Sequence, residues 1–377
     1  MAAENEKVPW YVWCSVAAVT FAMVGVQWDI SWHRSIGRDT FWTPAHIAIH
    51  MCGILAGISC GYLVLSTTFS PRSLLRECSV WIWGFRGPLG AFIAAWGGIA
   101  MITSAPFDNW WHDAYGLDVK ILSPPHMVLA AGILAVHAGA LILILGQMNR
   151  TSGPLHNHLR AMFLYVGGMT LVCLSTLQME ITARIAMHTV HFYYLVSLIV
   201  PLVLAGVGRA SQYKWGATAV AGVYTLFIFL IGRILPLVPA EPKLGPVYHQ
   251  VTAFTPPEFP LLIIIPAFAL DLVWQRTRGW GLLKQALVSG AVFLAVFAAV
   301  QWPFADFLAS PAARNWFFGT KYFGYQVSPR SLLARFGFVS TEAGQAFWKE
   351  SGFALLTAIF TCWLGLAWGN WMQRIRR

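Results

Sequence analysis

Residues 125–147, PHMVLAAGILAVHAGALILILGQ, contain no Asp, Glu, Lys or Arg across twenty-three positions. As a helix, a stretch of that length reaches roughly 34 Å, enough to cross a hydrocarbon layer of roughly 30 Å. Lipid solvates such a surface and water does not, and a helix satisfies its backbone polar groups internally. Working outward, long apolar runs with at most two such residues recur at 10–28, 45–68, 88–105, 160–180, 190–208, 215–237, 259–274, 284–301 and 351–372. The spacing predicts an all-α, polytopic transmembrane helical bundle of about ten spans in five hairpins. Composition agrees: 57% of residues are hydrophobic and 11% charged, against roughly 25% charged in a soluble chain. The chain divides into 1–150, which carries a duplicated hairpin, and 151–377, C-terminal transmembrane helices of unassigned role. The second part includes an aromatic and charged segment, 302–350, expected to hold short interfacial helices.

A net charge of +10 would suggest a nucleic-acid partner in a soluble protein. Here the basic residues lie mostly in short connections between spans, so orientation in the bilayer explains them and no nucleic acid is expected. Arg72, Arg76, Arg86, Arg150, Arg160, Arg209, Lys214, Arg276, Arg278, Lys284, Arg374, Arg376 and Arg377 fall on one side of a ten-span topology. The positive-inside rule makes that side cytoplasmic, with both termini inside a bacterial-type cytoplasmic membrane. Arg34, Arg38, Lys120 and Lys243 fall on the other side. The opening MAAENEKVPWYVW lacks a basic n-region and a small-residue cleavage site, so the first apolar span is expected to stay as a helix. Trp10, Trp28, Trp110, Trp111 and Trp280 stand at span ends as interface anchors. The cysteines Cys14, Cys52, Cys60, Cys78, Cys173 and Cys362 form no CxxC pair, and all but Cys78 lie in apolar spans. They read as buried small hydrophobes and not as a disulfide framework.

Two outer connections repeat one another. The first runs Asp29, Trp32, His33, Gly37, Asp39, then Thr43-Pro44-Ala45-His46. The second runs Asp108, Trp111, His112, Gly116, Asp118, then Ser123-Pro124-Pro125-His126, with one extra residue before its ending. A duplicated hairpin is the simplest reading. Thr43 and Ser123 suit an N-cap, and Pro44 and Pro124 suit the first helical position. His46 and His126 then fall in the first turn of the next span. A third connection, Thr255-Pro256-Pro257-Glu258, carries the same start signal, with Glu258 expected to close a capping box on Thr255. The hexapeptide Ser-Pro-Arg-Ser-Leu-Leu occurs at 70–75 and 328–333, which suggests two similar N-capped interfacial helices.

In Asp-x3-His the side chains share one helix face. Asp29 and His33 can therefore converge on one ion, with His46 completing the site from the neighbouring helix. Asp108, His112 and His126 allow the same. Two imidazoles and a carboxylate suit copper, iron or zinc, and the motif alone does not choose among them. Ionisable groups at membrane depth are costly and usually mark function. The bland alternative is that these groups cap helices and hydrogen-bond within a wet outer loop.

Trp32-His33, Arg38-Asp39-Thr40 and Thr43-Pro44-x-His46 resemble the signature of the C subunit of particulate methane and ammonia monooxygenases. That family surrounds a copper ion with the Asp, His and His of this stretch, the positions of Asp29, His33 and His46. Its second membrane copper site is spaced Asn-x3-His-x13-His, which Asp108, His112 and His126 reproduce with Asp in place of Asn. The likeness covers about residues 25–130; residues 160–377 show none, and the chain is longer than the family's subunit. The resemblance implies copper, one or two ions, and oxidation of a small molecule by O2 near the outer face, with His33 and His112 in catalytic positions. Because the family's electron donor and soluble outer domain have no counterpart here, it also implies partner subunits or a homo-oligomer besides the lipid bilayer. A non-catalytic copper module for storage, delivery or assembly is the alternative, and a membrane cytochrome or transporter is a third.

Other polar residues carry weaker expectations. His50, one turn below His46, reads as a further ligand or a hydrogen-bond partner. His137 reads as a core histidine, and Glu180 with Arg184 as an ion pair. His188, His191 and His249 with Glu258 would make a third metal site. His156 and His158 read as solvated loop residues, and Asp39 and Asp118 as groups that orient the ligands.

Overall fold

The computed structural model describes residues 7–37, 42–116, 123–179, 187–243, 251–322 and 345–376. Among these are ten α-helices: α1 Trp10–Ser35, α2 Pro44–Phe69, α3 Leu89–Tyr115, α4 Pro124–Met148, α5 Gly153–Leu177, α6 Val190–Ala210, α7 Gly216–Ile234, α8 Ile264–Arg276, α9 Leu282–Ala309 and α10 Gln345–Met372. Nine are long and apolar enough to cross a membrane. The all-α polytopic bundle is therefore as expected, and each expected span coincides with a helix.

The exception in length is α8, with 13 residues, or about 20 Å of helix. The Thr255-Pro256-Pro257-Glu258 signal does not start it, because residues 255–261 form no helix. Pro260 explains this: it disfavours helical backbone at Phe259, so a helix begun at Thr255 would break within a turn. The expected helix start at Thr255 is thus overturned. The non-helical backbone finds side-chain acceptors instead, Leu262 N donating to Gln301 Oε1 at 3.0 Å and Leu261 N to the Tyr224 hydroxyl at 3.4 Å.

The chain forms two compact units. One comprises Met1–Val166, Ala240–Phe254 and Met372–Arg377, and the other Gly167–Pro239 and Thr255–Trp371. In the first, α1 to α4 run as antiparallel neighbours whose backbones touch at glycines. A Cβ on Gly25 of α1 would lie 2.8 Å from Ile49 N of α2, and one on Gly97 of α3 would lie 2.7 Å from Gly132 O of α4. Helices associate in lipid through such small-residue contacts. Large apolar side chains such as Ile58, Phe69 and Trp96 face outward, as lipid contact requires. In the second unit, buried Asp271 of α8 accepts from Ala217 N, Thr218 N and Thr218 Oγ1 at 3.2, 2.8 and 2.7 Å, capping the start of α7 from a neighbouring helix.

Between α2 and α3 lies a short hairpin, β1 Val80–Ile82 and β2 Phe85–Gly87. Its turn residues Trp83 and Gly84 both have positive φ, 49° and 83°, the signature of a tight two-residue turn. The first Ser-Pro-Arg-Ser-Leu-Leu copy leads into a single 3-10 turn, Leu74–Arg76, capped by Ser73; the second copy lies outside the described residues. Within 302–350, α9 continues to Ala309, a 3-10 turn follows at Pro311–Ala313, and α10 begins at Gln345.

Candidate metal centres

The helices that carry both triads run past their expected ends at 28 and 105. No helix breaker follows Asp29, so α1 continues to Ser35. In α3, Pro106 removes one ladder donor and the helix still reaches Tyr115. Each helix stops at the glycine eight residues after the Asp. Gly37 has φ 94° and Gly116 has φ 96°, a conformation that other residues adopt only under strain. Asp29 and His33 therefore sit on one face of the last turns of α1, as Asp108 and His112 do on α3.

The partner histidines come from the next helix starts. Thr43 is the N-cap of α2, and its Oγ1 accepts from His46 N at 3.2 Å, with Pro44 at the first helical position. Ser123 and Pro124 take the same places in α4, but the Ser123 hydroxyl makes no capping bond. Antiparallel order brings all four helix ends to one end of the bundle.

In each triad both imidazoles approach the carboxylate. His46 Nε2 lies 3.2 Å from Asp29 Oδ1, and His33 Nε2 lies 3.8 Å from Asp29 Oδ2. In the second set, His112 Nε2 lies 3.4 Å from Asp108 Oδ2 and His126 Nε2 lies 3.5 Å from Asp108 Oδ1. Two ligands about 2.1 Å from one ion at the tetrahedral angle stand about 3.4 Å apart. Asp29 Oδ1 and Asp108 Oδ1 are sealed from solvent and have no hydrogen-bond partner among the described residues. Their lone pairs face imidazole nitrogens without hydrogen-bond geometry, and shared coordination of a cation fits that arrangement. In the second triad, one donor atom from each residue lies within 4.8 Å of the other two; it is the one such cluster of three or more among the described residues.

The two sites differ in their surroundings. His33 is 53% exposed, whereas His112 is 26% exposed. The first is walled by Trp28 and Trp32, whose rings meet Phe254 at 6.5 and 5.7 Å. Phe254 belongs to a segment that returns to α1, with Lys243 N donating to Ile36 O at 3.2 Å. Beside the second, α3 carries an aromatic cluster of its own, Phe107, Trp110, Trp111 and Tyr115, with Trp111 and Tyr115 at 4.4 Å. Trp28 and Phe107, and Trp32 and Trp111, are equivalent in the repeat, so both sites inherit aromatic neighbours. Phe254 had no signal in the motif because it lies two hundred residues away in sequence.

Other candidates resolve differently. His188 pairs with Asp306 at 2.9 Å and packs edge-on against Trp302, while His191 packs on Tyr194. Neither belongs to a cluster of three or more possible ligands among the described residues, and His249 lies outside them. His137 is fully buried, with Nδ1 2.9 Å from Ile133 O, as a core histidine would be. His156 and His158 are not loop residues: α5 begins at Gly153, and His156 Nδ1 reaches Met148 O at 3.1 Å. Asp39, Asp118, Glu180 and Arg184 lie outside the described residues. The six cysteines are free, as expected. No protein family, curated protein or solved structure matches the chain.

Proposed function

We propose that this integral membrane protein binds copper at the two Asp/His/His sites and oxidises a small molecule with O2 there. The observation that carries the reading is the convergence of Asp108, His112 and His126 at helix ends of an apolar bundle, with Asp29, His33 and His46 at the matching positions of the repeated hairpin. A carboxylate and two imidazoles offset the charge of a divalent ion and leave a coordination position open. Copper, when bound, supplies the redox chemistry that activates O2.

The protein's own contribution is to hold and orient. The turns of α1 and α3 fix each Asp-x3-His pair, and the starts of α2 and α4 deliver the second imidazole. His33, the most exposed member of the first set, and His112, its equivalent in the repeat, take the catalytic positions. Trp28, Trp32, Trp111 and Tyr115 limit water and favour a small apolar substrate arriving from the lipid. Insertion of one oxygen atom leaves the other as water, which requires two electrons and two protons from a donor on partner subunits or on a homo-oligomer. The basic connections favour, by the positive-inside rule, sites at the outer face of a bacterial-type cytoplasmic membrane and both termini inside.

Elemental analysis of the purified protein, beside His33→Ala and His112→Ala, tests this reading. Each variant is expected to lose copper from its own site, and copper-dependent O2 uptake with a reductant should fall with it. Copper unchanged in both variants would overturn the site assignment. Copper lost without any O2 uptake would favour storage or delivery, and zinc alone would favour a structural role.

A further inference from the structure

The repeat is broken at the end of the helices away from the metal centres. α4 passes to α5 through four residues, 149–152, whereas α2 passes to α3 through nineteen, 70–88. Joining two antiparallel helices needs no such length. The added chain holds the 3-10 turn Leu74–Arg76 and the hairpin of β1 and β2. It leaves α2 at Phe69, roughly 37 Å along the helix from Pro44 and the turn that bears His46.

This segment is aromatic at its tip and basic at its base. Trp81 and Trp83 are 66% and 79% exposed. Trp83 packs edge-on against Trp96 at 5.6 Å, and Trp96 lies about 10 Å into α3, on its outward face. The turn therefore folds back along the lipid-contacting side of α3. Thr68 ties the base to α2, its Oγ1 accepting from Arg86 N at 2.8 Å. Arg86 Nε donates to Ser79 Oγ at 2.9 Å, and Ser79 Oγ donates to Arg76 O at 2.7 Å, so one serine holds the Arg86 guanidinium against the turn that carries Arg76. Trp81 stands opposite Arg86 in the hairpin, and such cross-strand partners present their side chains to one face.

The arginines lack a counterion. Arg72, Arg76 and Arg86 pair with no carboxylate among the described residues. Arg76 Nε is shut off from solvent and has no hydrogen-bond partner among them. Unpaired guanidinium groups beside exposed indoles, on a surface that meets lipid, select an anion that arrives with the lipid.

We infer that this hairpin is a headgroup site for an anionic phospholipid. Trp81 and Trp83 seat at the boundary between headgroups and acyl chains, where indole rings settle. Arg76 and Arg86 take the phosphate, which a guanidinium can grip through two parallel N–H bonds, and Arg72 adds charge at the rim. A zwitterionic choline headgroup is disfavoured because its cation would face the same arginines. The site is independent of the metal centres.

Native mass spectrometry of the full chain, released from nanodiscs of phosphatidylglycerol and phosphatidylcholine in equal parts, tests this. The unmodified protein is expected to retain phosphatidylglycerol in preference. Arg76→Gln with Arg86→Gln should cut that preference about fivefold per arginine, the worth of one basic residue near an anionic surface. Arg278→Gln, an exposed arginine of the other unit, should leave it unchanged. Arg72→Gln with Arg76→Gln spares the Ser79 bond and keeps the test decisive if the Arg86 variant fails to fold. Equal retention of the two lipids by the unmodified protein, or a preference that survives both double variants, would overturn the site. Displacement of the retained lipid by inorganic phosphate would also overturn it, by showing a pocket for free anions.

Discussion

Gly25 of α1 and Ile49 of α2 are in backbone contact: a Cβ at Gly25 would stand 2.7 Å from Ile49 Cγ1 and 2.8 Å from its amide nitrogen. That contact lies one turn beneath Asp29, so it sets how closely the two halves of the first site approach. Gly25→Val forces the helices apart, an overpacking cost of about 1–3 kcal/mol. The expected outcome is loss of first-site copper with second-site copper retained, read by metal content in a His112→Ala background and in the unmodified chain. Retained first-site copper would mean that the close approach is not needed.

Gly116 ends α3 at φ 96° and ψ 167°, a region essentially reserved for glycine. Gly116→Ala is expected to cost about 1–3 kcal/mol of local strain. The last turn of α3, which carries His112, should fray. Second-site copper affinity should fall while the first site is untouched, as copper titration in a His46→Ala background would measure.

Thr43 is buried and its hydroxyl accepts from His46 N. Thr43→Ala removes the cap at a cost of about 1 kcal/mol and loosens the turn that aims His46. The matching Ser123→Ala should cost less, because Ser123 makes no capping bond. Thermal unfolding of the two variants, side by side, checks the difference.

In the second unit, Asp271 holds three donors at the start of α7. Asp271→Ala strands two buried backbone amides and is expected to cost at least about 2 kcal/mol, since bonds to a charged acceptor are worth about 1.5–3 kcal/mol each. The melting temperature should drop with copper content unchanged, which separates loss of stability from loss of ligands.

Much of this was legible from local patterns. Long charge-free runs fix helices in lipid, and the Asp, His and Gly offsets mark both triads because each offset maps onto a helix face or a helix end. Gly37 and Gly116 could be read as matched positions, and the structure adds why: each closes a helix that carries two ligands. Three features were not legible. The extended approach to α8 depends on Pro260 overriding a good start signal. The hairpin at Val80–Gly87 is too short for a periodic pattern. Phe254 reaches Trp32 through tertiary packing that no local spacing encodes.

Copper-edge X-ray absorption on the purified, copper-loaded protein bears most directly on ligation by Asp29, His33, His46, Asp108, His112 and His126. The expected result is a first shell of nitrogen and oxygen alone, with the outer-ring scattering of imidazole, diminished in the double variant His46→Ala, His126→Ala. A sulfur shell at about 2.3 Å, the distance of a thiolate bond, would contradict it by moving the metal to the cysteines or methionines.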